Sequence, residues 1–223
     1  MLDWETERKL YGAYRNFFTH AERERRWDLW NDVAWDQVRS PASDALVPAV
    51  MAAYVEEVFL PDYSQRLLHL LRSSRGRAWF VTRWSYEEAK HSLALNEWLL
   101  RTGRYTDEQL TTFIDGVLAE TTRDLAIPEP VPALVLALAR EHDEIARYRT
   151  LGALARSEND MILAAVCDQI VGDEQAHAGF FQNSLRLIQE REPALVAVSV
   201  RRVIALPEIE PLAESLREEL GVA

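Results

Sequence analysis

Two phrases, Glu88-Ala89-Lys90-His91 and Glu174-Gln175-Ala176-His177, constrain this chain more than any other feature. Each is a Glu-x-x-His. Residues three apart share one face of a helix, so each phrase aims a carboxylate and an imidazole at one point. A single such phrase arises readily among helix-surface glutamates. Two, each inside a long helical segment with further carboxylates at suitable offsets, are a much rarer coincidence. Two helices of this kind, joined by two others that each add a lone Glu, make a carboxylate-bridged dinuclear site for iron or manganese in a four-helix bundle.

The rest of the chain reads as helix. Glycine is sparse, 8 in 223 residues, and alternating β-branched runs are nearly absent; the apolar period is 3.6 rather than 2. The spacing predicts a first helix over about 4–25, then an irregular stretch holding Trp27, Trp30 and Trp35. Ser40-Pro41-Ala42-Ser43-Asp44 starts a helix that runs to about Arg72, with Pro and cap-forming residues ahead of an apolar run. Ser73-Ser74-Arg75-Gly76 turns the chain into a helix over 77–102 that stops at Gly103. Thr106-Asp107-Glu108 caps a helix over about 107–124, and Ile127-Pro128-Glu129-Pro130 breaks the chain. Helices over about 131–156 and 160–190 flank a turn at Ser157-Glu158-Asn159-Asp160, and another follows Pro193 before Pro207 and Pro211 interrupt the C-terminal segment. Two hairpins result, joined by residues 103–130. A link that long permits a single crossover. The expected fold is all-α: a ferritin-like four-helix bundle with additional flanking helices, one domain over 1–223.

Depth along the hairpins locates the remaining ligands. Residues at equal distance from a turn lie at equal depth. Glu57 then faces Glu88 across the first turn, and Glu144 faces Glu174 across the second. Both lone glutamates sit among apolar neighbours, where an unpaired carboxylate is costly and a metal is a natural partner. Glu56 is the alternative to Glu57 by one residue of helix phase, and Glu141, one turn before Glu144, is the alternative on its helix. Glu87 and Asp173 each precede a motif histidine by four residues; they are candidates for the carboxylates that accept the second N–H of metal-bound imidazoles. His20, His69 and His142 lack such a setting and read as ordinary histidines, while Trp84, Trp98 and Cys167 read as packing.

Composition removes several function classes. No run of about 18 apolar residues is present to span a membrane. The start, Met1-Leu2-Asp3-Trp4-Glu5-Thr6-Glu7, is acidic and unlike a secretory signal. Cys167 is the only cysteine, so a reducing, cytoplasmic setting is expected. A net charge of −11 argues against general nucleic-acid binding.

At the motif residues the chain resembles the soluble acyl-acyl carrier protein desaturases, ferritin-like di-iron proteins. The family's T-E-E-x-L-P-x-Y is similar to Val55-Glu56-Glu57-Val58-Phe59-Leu60-Pro61-Asp62-Tyr63, one residue longer before the proline. Its W-T-x-E-E-N-R-H is similar to Trp84-Ser85-Tyr86-Glu87-Glu88-Ala89-Lys90-His91. Its C-x-x-I-x-x-D-E-K-R-H is similar to the stretch from Cys167 through Ile170 to Asp173-Glu174-Gln175-Ala176-His177, and its M-R-K-K-I-S-M-P to Val200-Arg201-Arg202-Val203-Ile204-Ala205-Leu206-Pro207. The resemblance implies metal ligands Glu57, Glu88, His91, Glu144, Glu174 and His177. In the third ligand helix the family has Q-E-x-A-T; here Arg147 stands at the threonine if Glu144 is the ligand, and Glu144 stands there if Glu141 is.

The resemblance further implies two iron ions (or manganese), O2 as co-substrate and an external electron donor such as a ferredoxin. The implied activity is an oxidase that desaturates, or otherwise oxidises a C–H bond of, an acyl chain on acyl carrier protein. A homodimer is an option. Acyl carrier proteins are acidic, so an acidic oxidase needs a local basic patch to dock one; Arg201 and Arg202 are the candidates, with Arg147, Arg149 and Arg156 behind them. The same ligands would serve a di-iron oxygenase acting on a small-molecule metabolite, by hydroxylation or N-oxygenation. They would also serve a non-enzymatic ferritin-like metal-binding protein. A metal-free bundle acting as a scaffold is the remaining reading.

Overall fold

In the computed structural model, residues 2–123 and 127–222 are described. Helix α1 (Trp4–His20) begins at Asp3, whose side chain accepts from the backbone N–H groups of Glu5 and Thr6 at 2.9 and 3.1 Å, satisfying two otherwise orphan donors. The expected first helix ends in a widened π turn, Ala21–Arg25. The irregular tryptophan stretch follows, with a short 3₁₀ turn at Trp35–Gln37.

The helix expected to run unbroken to Arg72 is two helices, α2 (Leu46–Glu57) and α3 (Leu60–Leu71). Pro61 is the physical reason. It has no N–H to give the Glu57 carbonyl, and its ring crowds that carbonyl. The chain instead turns through Val58 and Phe59, with Phe59 N–H bonding the Glu56 carbonyl at 3.3 Å. The break leaves Glu57 as the last residue of α2.

Helix α4 (Arg75–Arg101) closes the first hairpin and ends before Gly103, whose φ of 70° suits glycine. Helix α5 (Asp107–Glu120) carries a capping box between Thr106 and Gln109. It ends earlier than the 124 expected; Thr121 is already extended, and position 124 lies outside the described residues. Helices α6 (Pro130–Ser157) and α7 (Met161–Gln189) form the second hairpin. Its turn places Asn159 at φ 61°, a conformation asparagine tolerates. Asp160 caps α7 through Leu163 N–H and accepts Trp98 Nε1 at 3.0 Å, which ties the second turn to α4. Helix α8 (Pro193–Val203) and, after a 3₁₀ segment at Pro207–Leu212, α9 (Ala213–Leu220) complete the chain.

Helices α2, α4, α6 and α7 make the bundle; α1 lies against α4 and α7, α3 against α4 and α6, and α8 against α6 and α7. The fold is all-α and ferritin-like. Among the described residues no helix is long and apolar enough to cross a membrane. On α6 a continuous buried stripe runs Leu134, Leu138, Glu141, Ile145, Tyr148, Gly152 and Ala155, the alternating three- and four-residue spacing of one helix face. Glu141 lies on that stripe.

The α1–α4 crossing is close enough to be tested. A Cβ at Gly76 would lie 2.5 Å from the Leu10 carbonyl carbon and 2.6 Å from Tyr11 N, both backbone atoms. Gly76→Ala is therefore expected to destabilise the protein by about 1–3 kcal/mol despite its better helix propensity. A thermal or urea melt with an unchanged midpoint would show that the crossing is looser than this.

Candidate metal centre

The interior of the bundle holds two overlapping groups of ligand atoms. Glu57, Glu88, His91 and Glu174 each offer an atom within 4.8 Å of the others, and so do Glu88, Glu141, Glu174 and His177. Glu88 and Glu174 belong to both groups. All six residues are buried. Each element supplies what its local sequence dictates. The α2 stop at Pro61 presents Glu57, the two Glu-x-x-His phrases lie on the inner faces of α4 and α7, and the buried stripe of α6 carries Glu141.

The imidazoles are oriented alike. His91 Nδ1 lies 3.1 Å from Glu174 Oε1 and 3.5 Å from Glu88 Oε2. His177 Nδ1 lies 3.0 Å from Glu88 Oε1, 3.0 Å from Glu174 Oε2 and 3.4 Å from Glu141 Oε2. The opposite nitrogens face outward. His91 Nε2 meets Asp173 Oδ2 at 3.2 Å, and His177 Nε2 meets Glu87 Oε2 at 2.8 Å. Each contact crosses between hairpins. This is the carboxylate–histidine arrangement that fixes a ligand's tautomer and ring orientation.

The donor set fits a pair of divalent ions. Glu88 Oε1, His91 Nδ1, Glu141 Oε2 and Glu174 Oε1 are buried and lack a directed hydrogen bond. Such orphans are costly without a partner, and these four belong to the same cluster. Four carboxylates in the two groups match the charge of two divalent cations, and mixed imidazole and carboxylate donors suit iron or manganese.

The electrostatics point the same way. Burial and the neighbouring Glu88 charge push Glu57 up to about 8. Burial also raises Glu141 well above the carboxylate range. Burial opposes protonation of both histidines. It is outweighed for His91 chiefly by the Glu174 charge, and for His177 by hydrogen bonds to Glu141, Glu174, Glu87 and Glu88, so both are raised. Burial likewise opposes ionisation of Glu174, yet the His91 charge and the two imidazole hydrogen bonds hold it well below the usual range. Protons thus stand where metal charge would. Because Glu57 is raised to about 8, it carries a proton at pH 7 without metal, and a metal needs it deprotonated. Metal uptake at pH 7 is expected to release protons, with affinity rising as pH climbs toward about 8. Calorimetric titration in buffers of different ionisation enthalpy reads the release directly. Buffer-independent heats would contradict this protonation state.

Glu144 lies outside both groups. The depth rule singled it out, but depth fixes only the level along α6 and not the direction around it. Glu141 occupies the buried stripe, and Glu144 sits on its flank, partly open to a cleft of about 330 Å³ that Tyr63, Arg140 and Glu208 also line. Its carboxyl is still close enough to the centre that burial and the charges of Glu174, Glu88, Glu57 and Glu141 raise its pKa. Glu56 points away and pairs with Arg123 at 3.0 Å.

Several residues at the site were not singled out from the sequence. Tyr148, fully buried one turn beyond Glu144, donates its hydroxyl to Glu57. Trp84 does more than pack: its Nε1 donates to Glu141 Oε1 at 3.0 Å. The outer acids are held by cations. Arg25 reaches Asp173 and, at 3.1 Å, Glu87; Arg83 meets Glu87 at 3.1 Å; Lys90 lies 3.3 Å from Asp173. Burial would raise Glu87, but the His177 hydrogen bond and charge, with the Arg25 charge behind them, outweigh it and keep Glu87 at about 2. Trp27 Nε1 donates to Asp173 Oδ2 at 2.8 Å, so indole, carboxylate and His91 form one hydrogen-bonded chain. Arg83 was readable, lying four before Glu87 on one helix; Lys90 reaches Asp173 of the other hairpin, which no local spacing announces. Arg25 and Trp27 come from a distant element and carry no local signal.

The remaining candidates are peripheral. Arg201 and Arg202 lie in the last, exposed turn of α8, with Arg202 paired to Glu129 at 2.7 Å. Arg147 pairs with Asp143 and Arg156 with Asp168. His20 pairs with Glu24 and His142 with Glu219, while His69 is exposed on α3.

Known proteins resemble this chain in sequence and in fold. A sequence model of the family described as "Fatty acid desaturase" matches residues 23–211. Acyl-[acyl-carrier-protein] desaturase 6, chloroplastic, of Oryza sativa subsp. japonica is 25% identical over 190 residues, 79% of this chain and 45% of its own. Acyl-[acyl-carrier-protein] 6-desaturase of Thunbergia alata is 27% identical over 157 residues, 67% of this chain and 41% of its own. The chain thus spans less than half the length of these curated relatives. Among solved structures, the desaturase-type protein DesA2 of Mycobacterium tuberculosis H37Rv superposes with a TM-score of 0.61 at 18% identity, covering 98% of this chain and 96% of that one. The R2-like ligand-binding oxidase of Sulfolobus acidocaldarius gives 0.59 at 16%, covering 98% and 91%. With 23–211 matched by the family's sequence pattern and the buried Glu and His cluster set in the same helical fold, the chain belongs to the fatty acid desaturase family.

Proposed function

We propose that this protein is a di-iron oxidase that takes hydrogen from the acyl chain of a carrier-bound substrate. The observation that carries the reading is the pair of overlapping ligand groups sharing Glu88 and Glu174, in a chain of desaturase family membership. Glu57, Glu88, His91, Glu141, Glu174 and His177 would hold two iron ions. Bound iron supplies O2 reduction and oxidation of an unactivated C–H bond, given two external electrons.

The protein's own part follows from the geometry. Asp173 and Glu87 fix the His91 and His177 rings, and those imidazoles, with Arg25 behind both acids and Lys90 behind Asp173, keep the two acids ionised. The Tyr148 hydroxyl orients Glu57, and the Trp84 N–H orients Glu141. An apolar groove of about 410 Å³ between α2 and α6, lined by Ala49, Ala53, Leu151 and Leu154, is suited to an acyl chain. It meets the polar cleft beside Glu144 at Asp143 and Arg147, which line both. The polar cleft favours one second reading, oxidation of a small polar metabolite at the same centre.

Iron-loaded protein supplied with O2, a ferredoxin reductase system and acyl carrier protein substrates of graded chain length tests the function, with products read by mass spectrometry. Loss of two hydrogens from the acyl chain supports desaturation. Turnover of free metabolites alone supports the second reading. Arg201 and Arg202 bear on the carrier. The segment after them continues to Glu208 and Ile209 at the cleft, so a carrier docked there would present its acyl chain nearby. Reversing both to Glu is expected to raise KM for the carrier substrate about tenfold at low salt, with metal content unchanged and the effect fading as salt screens it. An unchanged KM would place docking elsewhere.

A further inference from the structure

Among the described residues, the polar cleft beside the metal centre holds one cation that no acid neutralises. Three arginines line its walls, Arg123, Arg140 and Arg147. Arg123 is taken up by Glu56 at 3.0 Å and Arg147 by Asp143 at 2.8 Å. Arg140 makes neither an ion pair nor a side-chain hydrogen bond to any described residue. Its guanidinium lies instead over the Tyr63 ring, 4.4 Å from the centroid. Stacking of this kind occupies the face of the guanidinium and leaves the N–H donors along its edge for a ligand. Of the acids left on the walls, Glu208 is exposed, where water screens its charge. Burial and the surrounding carboxylates hold Glu144 toward its protonated form.

The position of this fork follows from the chain. Arg140 directly precedes Glu141, so its Cα stands about 1.5 Å from that of the ligand residue along the helix axis. It shares a face of α6 with Glu144, four residues on. Tyr63 comes from α3, which packs against α6. An anion held by Arg140 therefore sits at the level of the metal centre. The apolar groove of about 410 Å³ opens into the same cleft at Asp143 and Arg147. A ligand that fills both has an apolar body and one anionic group. A carboxylate offers the fork two charged acceptors in matching geometry, whereas a thioester or amide carbonyl offers one neutral acceptor.

We propose that Arg140 anchors the substrate, and that the substrate carries a carboxylate on the Arg140 fork and an apolar body in the groove between α2 and α6; this rests on the oxidase reading above, in which the cleft beside Glu144 leads to the metals. The proposal narrows the substrate. An acyl chain on a carrier has its carboxyl tied up in the thioester. The carboxylate at Arg140 then belongs either to a free acid or to the far end of a carrier-bound chain.

Binding is measured on iron-loaded protein without reductant, so that it does not depend on turnover. Calorimetric titration with decanoate is expected to show one site per chain, with decanol at least about tenfold weaker. Arg140→Gln should weaken decanoate at least about tenfold and leave decanol unchanged, and Arg140→Lys should recover part of the loss. Tyr63→Leu keeps the charge but removes its platform, and should weaken decanoate severalfold. Equal decanoate affinity in wild type and Arg140→Gln, or decanol binding as tightly as decanoate, would overturn the anchor. Turnover with O2 and a ferredoxin reductase system then separates the two sources. Oxidation of decanoate identifies a free acid. Preference for an ω-carboxydecanoyl carrier over the decanoyl carrier identifies a far-end carboxylate. Either result, with KM raised by Arg140→Gln, supports the anchor. Preference for the plain decanoyl carrier, with KM unchanged in Arg140→Gln, would overturn it and leave the oxidase reading standing. Arg140-dependent binding of decanoate with no oxidation of any of these compounds would keep the anchor and remove the oxidase reading.

Discussion

Removal of Glu88 or Glu174 by alanine is expected to abolish binding of both metals, whereas His91→Ala and His177→Ala should each remove one. The wild type should hold about two irons per chain when loaded anaerobically. The distinction follows from which residues the two ligand groups share. Glu88 and Glu174 belong to both; Glu57 and His91 belong only to the first, Glu141 and His177 only to the second. Deleting a shared carboxylate opens both positions and leaves the remaining buried imidazoles and acids without a counter-charge. Iron analysis after desalting reads the stoichiometry, and Mössbauer spectroscopy of enriched samples separates the two sites. Full occupancy in either histidine variant would exclude that residue as a ligand. One retained iron in the Glu88 or Glu174 variant would show that it does not bridge.

The second large effect separates two neighbours on α6. Glu141→Ala is expected to lose the metal of the second group, weakening its binding by at least about a thousandfold, equivalent to roughly 4 kcal/mol. O2 reactivity should be lost with it. Two consequences of the geometry act together: a ligand oxygen disappears, and the buried Trp84 N–H loses its acceptor. Glu144→Ala should retain both metals, because its carboxyl flanks the cluster at the cleft. It should instead change the polarity of that side, since the Glu144 carboxyl, held toward its protonated form by burial and the neighbouring carboxylates, lines the cleft there. Metal content in the two variants decides the matter. Loss in the Glu144 variant with retention in the Glu141 variant would return the ligand role to Glu144.

That pair of residues marks how far the sequence could be read. The two Glu-x-x-His phrases are local: three-residue spacing on a helix is set by backbone geometry, so their shared aim was legible before any packing was known. Glu57 was legible because the first turn fixed its depth and few carboxylates compete there. On α6, depth left Glu141 and Glu144 one turn apart, and the choice rested on azimuth. The buried stripe from Leu134 to Ala155 contains that information, but it emerges only when Tyr148 and Ile145 are known to face inward together. The unbroken helix expected to Arg72 failed for a simpler reason. The apolar spacing continues past Pro61, but Pro61 cannot bond the Glu57 carbonyl and so ends α2. The partners of Glu87 and Asp173 divide the same way. Arg83 lies on the helix of Glu87, whereas Lys90 reaches across to Asp173 and Arg25 arrives from the π turn after α1, and no local pattern announces contacts of that range.

The crossed histidine contacts bear on the order of events during synthesis. His91 is held from behind by Asp173 of the second hairpin, and His177 by Glu87 of the first. A nascent chain that has emerged only as far as Arg101 already contains Glu57, Glu88 and His91, yet none of them has its shared oxygen from Glu174 or its outer support. Until α6 and α7 dock, these three residues lack Tyr148, Asp173 and Glu174, the groups that hold them in place in the finished bundle. Were metal to bind, discrimination among competing ions would then fall to the finished bundle rather than to the growing polypeptide.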